Sequence, residues 1–168
     1  MERIGIYGGT FNPPHVGHIR AAKYAIDKLH LEKMLLIPSC IAPHKTLPDG
    51  SPTPAQRAEM LSIAAAPPME VCDIEIRRGD VSYTYETVEV LKKQYPDKEL
   101  ILFMGTDMFL SFYSWKEPRR ILQHASLGVF YRGDRDELSA IAAQKANLEE
   151  QGVTVYLVEN PVTAISST

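Results

Sequence analysis

Short apolar runs of strand length, each followed by a segment with helical spacing, constrain this chain more than any other feature. Arg3 to Tyr7 is such a run, and Val16 to Leu29 behind it places Ile19, Ala22, Ala25, Ile26 and Leu29 at helical spacing. Lys33 to Pro38, with Met-Leu-Leu-Ile at its centre, completes a strand-helix-strand unit whose crossover should be right-handed. A stretch holding Pro38, Pro43, Pro48, Pro52, Pro54 and Gly50 must then be loop. Thr53 supplies a capping residue and Pro54 a first-turn proline for a helix through about Ala66, which Pro67 and Pro68 end.

The alternation continues. Glu70 to Ile76 alternates and reads as a strand, while Thr84 to Gln94 reads as a helix with Val88 and Leu91 on one face. Glu99 to Met104, Leu127 to Tyr131 and Val153 to Val158 are further strands. Helices fill the gaps at roughly Met108 to Phe112, Pro118 to His124 and Glu137 to Gln151. The expected fold is α/β: a doubly wound, mostly parallel, Rossmann-like sheet of about five to six strands with helices on both faces. The 168 residues fit one domain, residues 1–168, without room for a second. Ligands of such sheets lie at the carboxyl ends of the strands. Gly8 to Thr10, Pro38 to Lys45 and Gly105 to Asp107 all follow strands, so three candidate motifs share one edge.

Charge narrows the partners. A net charge of −3 and a pI of about 6.0 leave no broad basic surface for duplex nucleic acid, so any polyanion handled is small. Cys40 and Cys72 match neither a metal-ligand spacing nor a disulfide framework, which favours a reducing compartment and a packing role for both. No apolar run is long enough to span a bilayer, and the expectation is a soluble, cytoplasmic protein; a homo-oligomer is compatible with the sequence.

The segment Gly8-Gly9-Thr10-Phe11-Asn12-Pro13-Pro14-His15-Val16-Gly17-His18 carries the chemistry. Two glycines admit close approach of a ligand, Thr10 offers a hydroxyl, and the helix start past Pro14 presents unpaired N–H groups and a positive dipole end. His15 and His18 fall three apart on one helical face, and two imidazoles there would share one anion. A metal site is a poor alternative, since Asp and Glu are absent from residues 4 to 26 and no Cys or third His is near. A plain tight turn with solvated histidines is the bland reading, and it leaves the coincidence of these groups unexplained.

Five other places are candidates, most with a plainer reading beside them. Lys45, after Pro43-His44, puts a cation on a proline-stiffened loop, or is simply a solvated lysine. Gly105-Thr106-Asp107 offers close backbone approach and a carboxylate suited to a ribose hydroxyl or hydrated magnesium, or Asp107 merely caps a helix. Ser82-Tyr83-Thr84 lies at a helix start beside aromatic rings, and the sole tryptophan, Trp115, would stack on an aromatic ligand or anchor the core. Ile165-Ser166-Ser167-Thr168 would hold phosphate at a helix start or form a frayed tail.

Taken together, these motifs resemble the nucleotidyltransferases of the His-x-Gly-His superfamily, and most closely the bacterial nicotinate mononucleotide adenylyltransferases. The resemblance rests on the Gly8 to His18 segment, Pro43-His44-Lys45, Ser82-Tyr83-Thr84, Gly105-Thr106-Asp107, Trp115 and Ile165 to Thr168, in the family's order along the whole chain. It implies adenylyl transfer from ATP to nicotinate mononucleotide, with magnesium carried on the ATP and no resident metal. By it, His15, His18 and Lys45 are catalytic; Gly8, Gly9, Thr10, Phe11, Gly105, Asp107, Ile165, Ser166 and Ser167 join the histidines at ATP. Lys45, Tyr83, Thr84 and Trp115 serve the mononucleotide. Phosphopantetheine adenylyltransferases share the first motif but usually carry Thr at the position of His15. Two departures stand out: Asn12 replaces a more frequent Asp, and the family's following helix with its arginine lies beyond Thr168, so a domain without that helical end is expected.

The reaction so implied needs no covalent intermediate. A mononucleotide phosphate is already ionised near neutral pH, and the task is to align two anions and disperse the charge that builds on transfer. Rival readings are phosphopantetheine adenylyl transfer, cytidylyl transfer, or a nucleotide-binding module without turnover.

Overall fold

Strands that are apolar on both sides are stable only in the interior of a sheet covered on both faces. The computed structural model describes residues 1–9, 11, 16–41 and 47–160, and the four inner strands of its sheet behave in this way. β1 (Arg3–Gly9), β2 (Lys33–Pro38), β3 (Met69–Val71), β4 (Glu99–Gly105), β5 (Ala125–Tyr131) and β6 (Val155–Glu159) form one sheet ordered β3-β2-β1-β4-β5-β6. Every pairing is parallel. This is the doubly wound Rossmann order, with its switch between β1 and β4.

Side chains alternate between the two faces as a pleated strand requires. Ile4, Ile6, Leu35, Ile37, Leu100, Leu102, Leu127 and Val129 join one core with residues of α3 (Ile74–Arg78), α4 (Thr84–Gln94), α5 (Thr106–Leu110), α6 (Pro118–Leu122) and α7 (Arg135–Glu150). Met34, Leu36, Ile101, Phe103 and Phe130 join the other with α1 (Val16–Leu29) and Leu61 of α2 (Pro54–Ala64). Two strand glycines make room for neighbours. A Cβ at Gly5 would lie 2.6 Å from Met34 Sδ, and one at Gly128 would lie 2.5 Å from the Phe103 ring.

Most boundaries follow the sequence pattern. α1, β2 and α4 fall where the spacing puts them, and α2 starts on a full capping box, Thr53 with Gln56, but ends two residues early at Ala64. One expectation is corrected. Glu70 to Ile76 is not a single strand: pairing stops after Val71, and Ile74–Arg78 is helical. Cys72 N–H makes a further bond to the Leu36 carbonyl, and the Arg77 guanidinium then closes on Asp73 at 2.7 Å, an i,i+4 pair only a helical turn brings together. A five-residue helix is too short to display its period in sequence. α5 starts at Thr106 rather than Met108, and α7 at Arg135, capped by Asp134, rather than Glu137.

Candidate active site

The register of the sheet opens a cleft at its switch. β1 pairs with β4 only as far as Tyr7 opposite Phe103, yet runs on beside β2 to Gly9 opposite Pro38. β4 likewise continues beside β5 to Gly105 opposite Phe130. The two central strands therefore part, with Gly8-Gly9 on one lip and Met104-Gly105 on the other.

Among the described residues, none crowds the glycines at this cleft. A Cβ on Gly8 or Gly9 would meet its nearest neighbour at 3.7 Å, an ordinary contact, and one on Gly105 would meet nothing within 4 Å. Gly105 has φ −78°, open to any residue. Gly5 and Gly128 are small because the core demands it; at Gly8, Gly9 and Gly105 no described residue packs closely enough to demand a glycine.

Beneath the β1 lip, Phe11 turns its ring inward. Phe11 is buried with φ +49°, a conformation rare for a bulky residue. Its ring meets Tyr7 edge-on at 5.5 Å and the His18 imidazole edge-on at 4.9 Å, and Tyr7 lies 6.4 Å from His18. His18, in the first turn of α1, thus rests on an aromatic bed. Burial pushes the Tyr7 hydroxyl up to about 12, so it stays neutral there.

On the β4 lip, Gly105 occupies the cap position of α5 and Asp107 is exposed in its first turn, so Asp107 does not take the capping role. Behind it the Glu137 carboxylate accepts from the Thr106 hydroxyl at 2.6 Å and from the Arg132 and Gly133 N–H groups at 2.9 Å each. Burial raises the Glu137 pKa, but these bonds outweigh it and hold the group low and ionised.

The aromatic candidates gather at the start of α4. Tyr83 is its cap residue, without a side-chain cap bond, and Thr84 is its first helical residue. Lys116 Nζ sits 4.7 Å over the Tyr83 ring, which brings the Trp115 segment alongside. Arg120 lies 4.7 Å over Tyr85 and pairs with Glu89. Trp115 is half-buried against Phe112 at 5.0 Å, on the core's flank, and its Nε1 is buried without a hydrogen-bond partner among the described residues.

Sequence reasoning missed three residues here. Lys116 was visible beside Trp115, but its ring partner is remote in sequence. Arg57 on α2 is buried and donates to the Ser39 carbonyl at 2.9 Å, steadying the exit of β2; burial pushes its pKa down. Glu75 is buried on α3. Cys72 is half-buried, and burial pushes its thiol up, away from thiolate chemistry. Thr10, Asn12, His15, Lys45, Ile165, Ser166 and Ser167 lie outside the described residues. The described residues contain no group of three or more His, Cys, Asp or Glu side chains placed to share a metal ion.

A Rossmann-ordered sheet with bare glycines on both lips of its switch cleft defines an α/β nucleotide-binding protein. Residues 6–168 match the family described as cytidylyltransferase-like, and a protein of Dictyoglomus thermophilum named probable nicotinate-nucleotide adenylyltransferase is 37% identical over 167 residues. That alignment covers 98% of this chain and 83% of the relative. The chain belongs to the cytidylyltransferase-like family and, within it, to the nicotinate-nucleotide adenylyltransferases. A Shewanella baltica relative of the same name is 46% identical over 132 residues, 77% of this chain and 60% of the relative. Among solved structures, a Plasmodium falciparum nicotinic acid mononucleotide adenylyltransferase complexed with APC matches with a TM-score of 0.68 at 16% identity, over 99% of this chain and 77% of that one. Its complex with NaAD matches with a TM-score of 0.66 at 18% identity, covering 99% and 78%. These two likenesses bear on the fold.

Proposed function

We propose that this chain transfers the adenylyl group of ATP to nicotinate mononucleotide, giving nicotinate adenine dinucleotide and pyrophosphate. One observation carries the reading: the cleft where β1 and β4 part is lined on both lips by glycines that no described residue crowds, in a chain whose relatives are named for this reaction. The unit concerned is a single nucleotidyltransferase domain over residues 1–168, without the helical end that the family carries after the Ile165 to Thr168 segment.

In this reading the triphosphate lies along Gly8, Gly9 and Thr10, with the turn held by the inward Phe11. The acceptor's phosphate oxygen attacks the α-phosphorus, the bond to the bridging oxygen breaks, and pyrophosphate leaves with the electron pair. His15, His18 and Lys45 stabilise the charge that develops, and no side chain becomes covalently attached. Magnesium arrives on the triphosphate, held chiefly by phosphate oxygens, and supplies further neutralisation there. Gly105 and Asp107 line the adenosine, with Asp107 suited to a ribose hydroxyl or a water of the hydrated ion. Ile165, Ser166 and Ser167 add donors to phosphate.

The acceptor's ring lies between Tyr83-Thr84 and Trp115. N–H donors at the start of α4 receive a carboxylate, whereas an amide would bring its own donors against them, a mismatch worth about 1–3 kcal/mol. The setting is the cytoplasm, in keeping with two free cysteines; among the described residues no helix is long and apolar enough to cross a membrane.

The test is an adenylyl-transfer assay with magnesium-ATP and either nicotinate or nicotinamide mononucleotide, with phosphopantetheine and CTP arms. Dinucleotide formation, faster with the nicotinate form, is expected. ATP binding without pyrophosphate release would point to a binding module instead, and turnover only with another acceptor or with CTP would reassign the reaction.

A further inference from the structure

Behind the start of α4 lies a set of buried side chains that the transfer step does not use. The Glu75 carboxylate, buried on α3, accepts from the Thr87 hydroxyl at 2.7 Å, and Thr87 is itself buried on α4. The Thr87 oxygen accepts in turn from Arg78 Nη2 at 3.0 Å. The same Arg78 nitrogen reaches the Tyr83 carbonyl at 3.5 Å, and Arg78 Nε stands 3.7 Å from Glu86. One residue before Tyr83, the buried Ser82 is bonded both ways to the segment after β2.

Packing alone does not call for this arrangement. Val88 and Leu91 already seat α4 in the core, and a valine at position 87 would fill the same space as threonine. Burying a carboxylate and a hydroxyl carries a desolvation cost, which the bonds among Glu75, Thr87 and Arg78 Nη2 offset by selecting one geometry, while Arg78 Nε makes no hydrogen bond among the described residues. What this network touches is the Tyr83 peptide, the cap of a helix whose first-turn N–H groups have no side-chain cap.

We propose that Glu75, Thr87 and Arg78 are positioning residues for the acceptor: they fix the Tyr83 peptide and the first turn of α4 so that its N–H groups meet a ring carboxylate and disfavour the amide. The inference rests on the adenylyl-transfer reading and adds how that site tells the two pyridine forms apart. It separates the network from the phosphate-side groups, because its effect is confined to one substrate.

Thr87→Val, which keeps shape and removes the hydroxyl, is compared with Thr87→Ser, which keeps the hydroxyl. Steady-state constants are measured for ATP and for both mononucleotides. Thr87→Val should raise KM for nicotinate mononucleotide about tenfold and lower the preference over the nicotinamide form about tenfold, with KM for ATP within about twofold. Thr87→Ser should restore both. An unchanged preference in Thr87→Val overturns the proposal, as does an equal rise of KM for ATP and mononucleotide accompanied by a lowered Tm. Arg78→Lys, which keeps the charge but not the reach to both oxygens, gives the same readouts should the valine variant not fold. A wild-type chain that makes dinucleotide from neither form fails the adenylyl-transfer reading itself, and the inference falls with it.

Discussion

The backbone N–H of Cys40 donates to the Ser82 hydroxyl oxygen at 2.9 Å, across 42 residues of sequence. Ser82 N–H returns a bond to the Ile41 carbonyl at 2.8 Å, and Ile41 bridges Val81 in parallel fashion, so the sheet's pairing is carried past the end of β2. The segment that leads into Pro43-His44-Lys45 therefore starts from a fixed point beside Tyr83-Thr84.

Removing that anchor has a measurable cost. Ser82→Ala leaves the Cys40 N–H without its acceptor in a part-buried setting, and unfolding stability should fall by about 1 kcal/mol, read from urea denaturation. KM for the mononucleotide should rise with it. Unaltered stability would mean the bond is replaced without loss.

His18 is seated by Phe11 and Tyr7, so its position is set before any substrate binds. His18→Ala should lower turnover roughly a hundredfold, the order expected for one lost transition-state donor. Turnover within about twofold of wild type would reject its role.

Two glycines should part company on alanine substitution. Gly128→Ala drives a Cβ to 2.5 Å from the stacked Phe103 ring and should cost about 1–3 kcal/mol of stability. Gly105→Ala meets nothing within 4 Å, so Tm should hold while KM for ATP rises if a nucleotide approaches there. A Gly105→Ala chain with unchanged nucleotide affinity removes Gly105 from the ATP site.

Glu75 gives stability a pH dependence of known sign. Burial raises its pKa above the ordinary 4.5, and the bonds from Thr87 and Ser82 and the Arg78 charge lower it without cancelling that rise. The unfolded chain releases this proton at lower pH than the folded one. Stability is therefore fully present below 4.5, declines as pH rises through the window above it, and levels off beyond the raised folded value. Glu75→Gln should flatten that decline, measured as the urea midpoint against pH; parallel curves for the two chains would contradict it.

How much of this was legible in sequence depends on range. β1, β2 and β4 announce themselves because burial on both faces makes them continuously apolar, and Gly8-Gly9 and Gly105 stand at their ends. α3 was hidden because five residues hold barely more than one turn, and its buried Glu75 mimics the outward position of an alternating strand. Arg57 looks like an ordinary surface charge on α2 until the fold brings the Ser39 carbonyl to it. Lys116 gains meaning only from Tyr83. Each missed residue works through a partner on another element, which periodicity does not reveal.

The switch between β1 and β4 has a consequence for assembly. Arg3 pairs with Glu99, whose side chains also bond across 96 positions, so β1 finds one of its two neighbours only once β4 exists. Such distant pairing is slow to form, because the intervening loop must be closed before any contact rewards it. The glycines at the end of β1 are thus translated early and given their opposite lip late. A growing chain that has not yet reached β4 has one lip of a cleft and no cleft.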